Sequence, residues 1–406
     1  MKKKLIFITE ALWIGGIETA LVNLLNRLDY DRYNVTCLIL RDCQEMAYRI
    51  TPQSRLIVSD RQHAVTFREG YRYKRMYNLM EEPLCASKLR RLIWRILCLV
   101  LRAPEARRYA AYVKKQLGGE HFDTAVIYSD RSAETAVRAV SADHFLMFYH
   151  HGAMRKEYHD ELGYRQAEKV IAVSEALAEK LKAYRPRYAG KIIAVNNLID
   201  VSGVRTKSVA MPDIVFPKDC FNIVSCGRLA PAKGMDLAIA ACAKLVQDGL
   251  ADIHWWIVGG GPEEASLRAQ LRALRMDRYV TLLGMQDNPY PYIRQADLYV
   301  QPSRFEGHCV TVLEARLLAV PILATQNAAK EQLEDGKTGR LCKLDAASIA
   351  DAAAELYRTP DLRQALREAL RRPDYFQSFL RKVIVRHKNS PPLNDGFAVK
   401  FFSERI

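Results

Sequence analysis

Leu5-Ile6-Phe7-Ile8-Thr9-Glu10-Ala11-Leu12-Trp13-Ile14-Gly15-Gly16-Ile17-Glu18-Thr19-Ala20-Leu21-Val22-Asn23-Leu24-Leu25 is the stretch that decides the fold. Leu5–Ile8 is an unbroken apolar run, the pattern of a strand buried on both faces of a parallel sheet. Gly15-Gly16 then breaks the chain, and Ile17–Leu25 sets apolar residues at helical spacing. Asn34–Leu40 reads as the next strand. Strand, glycine turn, helix and strand make a βαβ unit, so the N-terminal half is expected to be an open α/β sheet. Further strands are expected at Thr124–Tyr128, Phe145–Tyr149, Lys169–Val173 and Ile192–Val195.

The pattern stops and restarts. Residues 201–219 carry Ser202, Gly203, Pro212 and Pro217 with no clear period, and read as a linker. Beyond it, strands are expected at Phe221–Ser225, Ile253–Val258, Val280–Leu283, Leu298–Val300 and Pro321–Ala324. Helices are expected at Asp236–Gln247, through about Leu274, and at Val310–Leu318. The expected fold class is therefore α/β: two Rossmann-like, doubly wound domains facing a central cleft, spanning 1–200 and 220–384, with an irregular tail at 385–406. A length of 406 residues agrees with two domains.

Composition narrows the class. Apolar residues make up 49% and charged residues 26%, as in a packed soluble protein. The nine cysteines are scattered, odd in number and include no CxxC pair. This argues against a disulfide scaffold or a zinc site and for a reducing compartment. After Lys2-Lys3-Lys4 the first apolar run ends at Thr9, too short for a signal-peptide core. No run is long enough to span a bilayer.

Lys plus Arg is 61 against 46 for Asp plus Glu, +15, and residues 1–200 carry 33 basic and 23 acidic groups, +10 of it. Most of that excess lies in 85–117, where nine basic groups from Lys88 to Lys115 face only Glu105. Between them runs Leu92-Ile93-Trp94-Arg95-Ile96-Leu97-Cys98-Leu99-Val100-Leu101. A basic helix of this kind can lie in the headgroup plane of an anionic membrane. The alternative is an ordinary helix covering the sheet, its basic residues at the edges. The charge is not interleaved with aromatic stacking residues as in nucleic-acid modules, so nucleic acid is not expected as a partner.

Four clusters fall where an α/β sheet places its ligand loops. Gly15-Gly16 lets backbone approach a phosphate at a helix start, although such a turn often serves only itself. In Gly227-Arg228-Leu229-Ala230-Pro231-Ala232-Lys233-Gly234, two cations five positions apart can grip a diphosphate; the plain alternative is a solvated loop. In Glu306-Gly307-His308-Cys309-Val310-Thr311-Val312-Leu313-Glu314, one carboxylate sits on a loop and the other in an apolar helix. The N–H groups of Cys309, Val310 and Thr311 are placed to meet an anion. Glu314 needs a partner, either a sugar diol or a nearby Arg or Lys. Tyr149-His150-His151-Gly152 ends a predicted strand and lacks a third ligand for a metal.

Taken in order, these clusters resemble the GT-B glycosyltransferases, specifically the large retaining family 4, over residues 4 to 370. That family carries a Gly-Gly loop, an N-domain His, a GR…KG loop and two glutamates separated by seven residues. Asn196-Asn197-Leu198-Ile199-Asp200 resembles its N-G-I/V-D segment. The resemblance implies that Gly15 and Gly16 lie near the donor phosphates, that Arg228 and Lys233 neutralise the diphosphate, and that Glu314 holds the ribose hydroxyls. It implies that Glu306 and Gly307 meet the transferred sugar, with backbone N–H groups from Val310 and Thr311. His151 rather than His150 would contact that sugar, Gly260 and its neighbours would line the nucleotide pocket, and the segment after Gly284 would meet the base. The catalytic set is then Glu306, His151, Arg228 and Lys233.

The expected activity is retaining transfer of a sugar from a nucleotide diphosphate sugar to a lipid-linked saccharide acceptor in capsule, exopolysaccharide or lipopolysaccharide biosynthesis. No cofactor and no metal are expected. The donor is expected to be a UDP-sugar before a GDP-sugar. The expected location is cytoplasmic, peripheral on the inner face of the plasma membrane through Lys88–Lys115. Alternatives are a related nucleotide-sugar epimerase or synthase with a soluble acceptor and, more remotely, a nucleic-acid-binding protein. Two departures from the family stand out: His308-Cys309 replaces the usual Phe-Gly or Phe-Pro, and Pro391-Pro392 interrupts the region where the family's crossover helix would run.

Overall fold

The computed structural model describes residues 2–59, 107–152, 154 and 161–372. Within these residues the chain forms two parallel sheets. The first contains β1 (Lys3–Thr9), β2 (Tyr33–Ile39), β3 (Arg55–Val58), β4 (His121–Ile127), β5 (Ser141–Tyr149), β6 (Lys169–Ala172) and β7 (Ile192–Ala194). Its order is β3-β2-β1-β4-β5-β6-β7. The second contains β8 (Phe221–Cys226), β9 (Ile253–Val258), β10 (Val280–Gly284), β11 (Leu298–Gln301), β12 (Ile322–Thr325) and β13 (Arg340–Cys342). Its order is β10-β9-β8-β11-β12-β13.

Both sheets thus run out from their first strand in one direction and then reverse. The reversals, between β1 and β4 and between β8 and β11, are where doubly wound sheets open a crevice for ligand. The apolar runs that read as strands are the ones buried from both sides: Leu5, Ile6, Phe7 and Ile8 are inaccessible, as are Val224, Trp255 and Ile257. Two strands escaped the sequence reading. β3 is an edge strand with an accessible start, and β13 spans three residues, so neither carries a periodic signal.

Two boundaries need correction. The expected linker opens with a helix, Val201–Lys207, whose first turn is capped by Asp200 Oδ1 accepting from Gly203 N at 3.1 Å. Val204 packs with Leu313 and Leu317, so this stretch joins the C-terminal domain before the chain turns. Seven residues are too few to display a helical period. The basic insert also ends earlier than read. Residues 107–116 form a helix whose Tyr109, Ala110 and Val113 are buried in the N-terminal core, with Arg107, Arg108, Lys114 and Lys115 outward. That part is an ordinary covering helix. The preceding part, 85–106, and the tail from 373 lie outside the described residues.

Candidate active site

Loops leaving β1, β4 and β5 of the first sheet and β8, β9, β10 and β11 of the second meet around one cleft of about 380 Å³. Its walls include Gly15, Gly16, His151, Arg228, Lys233, Glu306, Gly307, Val310, Thr311 and Glu314, all predicted from sequence. Gly260 is not among the lining residues; Gly259 takes that place, and Met285, Gln286 and Asp287 follow it after Gly284.

Lys233 and Glu306 are ion-paired across the cleft floor, with Nζ 2.7 Å from Oε1 and 2.9 Å from Oε2. Burial disfavours the ammonium, but the Glu306 carboxylate overrides it and the pKa of Lys233 lies above its ordinary value. Glu306 also accepts from Ser303 Oγ at 2.7 Å, Ser303 from Gln301 Nε2 at 2.8 Å, and Gln301 Oε1 from Tyr299 OH at 2.5 Å and Thr311 Oγ1 at 3.0 Å. This buried polar chain fixes the loop after β11 and is satisfied link by link. Gly234 makes the turn that places Lys233: its φ is 66°, and a side chain there would strike the carbonyl oxygen of Pro302.

Glu314 lies one turn inside the helix Val310–Leu317 and is 5% exposed. Its partner is neither Arg nor Lys in an ion pair but Tyr290, whose hydroxyl donates to Oε1 at 3.0 Å. Burial pushes the carboxyl up to about 7, against the Tyr290 bond and the charge of Arg49. The N-cap residue of this helix, Cys309, makes no side-chain cap hydrogen bond, and Val310 and Thr311 of its first turn line the cleft.

Arg228 sits in the cleft wall with its guanidinium 5.6 Å from the centre of the Trp13 ring; Arg41 lies 5.7 Å from the same ring. An arginine of one domain therefore stacks on a tryptophan of the other. Glu18, in the first turn after Gly15-Gly16, is pushed up to about 7, chiefly by burial. Arg49 reaches across to Asp287, donating to its carbonyl at 2.5 Å.

The two histidines separate clearly. His150 is buried, stacked with Phe148 at 5.7 Å and tilted against Tyr128 at 4.7 Å, and burial pushes its pKa down to about 3. His151 faces the cleft with Nε2 3.4 Å from Asp130 Oδ1. The adjoining Gly152 lies against the backbone of Glu306, and Gly307 against the backbone of His150. The domains therefore touch main chain to main chain at the loops that carry His151 and Glu306.

Sequence reasoning missed Trp13, Arg49, Asp130 and Tyr290. Asp130 was the one within reach, since it lies just past a predicted strand's carboxyl end beside the sheet reversal. Tyr290, between Pro289 and Pro291, reads only as a turn.

Residues 220–359 match the family described as glycosyl transferases group 1. N-acetyl-alpha-D-glucosaminyl L-malate synthase of Bacillus anthracis is 25% identical over 68% of this chain and 70% of its own length. A Campylobacter jejuni enzyme, N-acetylgalactosamine-N,N'-diacetylbacillosaminyl-diphospho-undecaprenol 4-alpha-N-acetylgalactosaminyltransferase, is 29% identical over 45% of this chain; the match spans 48% of that enzyme, about half its length. Other relatives are named for colanic acid, O-antigen and lipopolysaccharide core biosynthesis. Among solved structures, Anabaena Alr3699/HepE in complex with UDP and glucose superposes with a TM-score of 0.68 at 16% identity, over 99% of both chains, a likeness of fold.

Proposed function

The chain is a glycosyltransferase of the GT-B fold, and we propose that it is a retaining, family 4 enzyme that moves a sugar from a nucleotide diphosphate sugar to a lipid-linked saccharide in surface-polysaccharide assembly. The observation that carries this reading is the convergence of Arg228, Lys233, Glu306, Glu314 and His151 from two domains on one cleft. The lipid-linked acceptor is supported by the diphospho-undecaprenol in the name of the Campylobacter relative.

In this reading Arg228 and Lys233 flank the donor diphosphate, which is the leaving group, so their charge counts most as negative charge builds there. The amide groups at Val310 and Thr311 add the positive end of a helix. Glu314 accepts from the ribose hydroxyls, which replaces the hydration that burial removes. Lys233 is held by Glu306 before the donor arrives, so entry of the diphosphate divides the lysine between two anions and frees Glu306 to turn toward the sugar. His151 meets the sugar from the opposite domain. Acceptor attack on the face vacated by the phosphate, with that phosphate taking the acceptor proton, gives retention without a protein nucleophile. Charge supplied by Arg228 and Lys233 makes transfer independent of a divalent cation.

The part of the insert before the covering helix, Lys88–Arg102, is proposed to hold the enzyme on the anionic cytoplasmic leaflet. Among the described residues no helix is long and apolar enough to cross a membrane.

The test is a thermal-shift panel of UDP- and GDP-sugars, since a ligand that binds only the folded state raises its melting temperature. Transfer to an undecaprenyl-diphosphate-linked sugar then follows, with the product anomer assigned by NMR. A UDP-sugar that stabilises and is transferred with retained configuration in EDTA supports the reading. An inverted product, or a requirement for Mg²⁺ or Mn²⁺, overturns the mechanism. Binding to neutral and anionic vesicles alike, or to neither, overturns the membrane assignment.

A further inference from the structure

We infer that Asp130 is a positioning residue for the reaction, holding the proton of His151 on Nε2 and fixing the plane in which that imidazole meets the ligand. The inference rests on the reading above, in which His151 faces the transferred sugar, and adds to it the residue that makes this histidine usable.

Asp130 follows β4 at the reversal of the N-terminal sheet, and its side chain is 0% exposed. A carboxylate at that depth is expensive unless a cation or donor meets it. His151 Nε2 meets it at 3.4 Å. The neighbouring Arg131 turns the other way and pairs with Glu10 at 3.4 Å. His150 instead packs against Phe148 and Tyr128. The electrostatics agree with the geometry. Burial alone would raise the Asp130 carboxyl, yet its pKa lies below the ordinary value, because the neighbouring His151 and then the charge of Arg131 outweigh burial.

A second constraint comes from the other domain. Gly152 lies against the backbone of Glu306, so the loop carrying His151 cannot slide along its own strand. Asp130 then sets the ring's rotation and protonation, and the glycine contact sets its position.

The experiment is a double-mutant cycle with nitrogen NMR. Turnover is measured with UDP-glucose or UDP-GlcNAc, whichever the panel selects. His151→Ala is expected to lower kcat by about 10²-fold. Asp130→Asn, which can present an amide N–H to the ring instead of an acceptor, is expected to lower kcat by about 10-fold or more. The donor KM should stay within about threefold, because Arg228, Lys233 and Glu314 lie on the other domain. The double variant should be no slower than His151→Ala. In the wild-type protein the His151 imidazole nitrogens should report a proton on Nε2, and in Asp130→Asn that population should fall. Should Asp130→Asn fail to fold, the wild-type tautomer still decides: a proton held on Nδ1 alone overturns the inference. Additive single variants overturn it as well. Full turnover in His151→Ala overturns instead the reading of His151, and is distinguished by that variant alone.

Discussion

Gly152→Ala places a methyl group where the two domains touch. A β-carbon at Gly152 would stand 2.3 Å from the carbonyl oxygen of Glu306 and 2.4 Å from its carbon, both backbone atoms, whereas side-chain carbons keep at least 3.0 Å. Neither atom can rotate away, so the loops must part by about 1 Å. Misplacement of that size at a reacting centre can cost about 10²-fold in rate. Donor affinity should hardly move, since Arg228, Lys233 and Glu314 all belong to the C-terminal domain. The assay is kcat and KM for transfer, with calorimetric UDP binding and a melting curve as controls. Gly307→Ala is the mirror experiment, with its β-carbon 2.1 Å from the carbonyl oxygen of His150. A folded Gly152→Ala enzyme with kcat within threefold of wild type would refute the idea that this contact sets the working geometry. So would a loss of UDP affinity that matches the loss of rate.

Four further outcomes can be checked. Lys233→Ala should lower kcat/KM by about 10²-fold or more, and steady-state kinetics with a matched melting curve separates this from misfolding. Glu314→Gln should weaken donor binding by about 10- to 10²-fold in calorimetry. Its stability without ligand should depart from wild type with pH. The folded Glu314 keeps a proton to about 7 that the unfolded chain releases near 4.5, so wild-type stability falls as pH rises through that window. The penalty reaches about 3 kcal/mol above it, and Gln escapes it; melting curves at pH 5 and pH 8 should show the variant gaining only at pH 8. His150 has the opposite sign. Its folded pKa of about 3 lies below 6.5, so stability is lost as pH falls from 6.5 toward 3, and His150→Phe should flatten that loss in acid melts while transfer stays within about threefold.

Much of the arrangement is written locally. Leu5–Ile8 and Ile253–Val258 are apolar throughout because they are buried on both faces, so their runs announce central strands. Arg228, Lys233, Glu306 and Glu314 could be placed because each lies on, or just after, a loop leaving such a strand. What escaped depends on partners distant in sequence. Trp13 matters through Arg228 and Arg41, Tyr290 through Glu314, and Asp130 through His151; none of these pairs leaves a mark at either residue alone. Of the three adjacent glycines Gly259–Gly261, it is Gly259 that lines the cleft, and nothing in the run itself distinguishes it. The short helix Val201–Lys207 was hidden by its length.

The bidentate pair of Lys233 and Glu306 gives the empty cleft its own counter-ion. On the proposed reading, an arriving diphosphate competes with this carboxylate for Lys233, so capture is an exchange of one anion for another. The same pair acts in reverse after transfer. On the proposed reading, departure of the spent nucleotide lets Glu306 return to its place 2.7 Å from Lys233. Such a floor would hold stray phosphate and spent nucleotide less tightly, and would bind the donor less tightly by the same exchange.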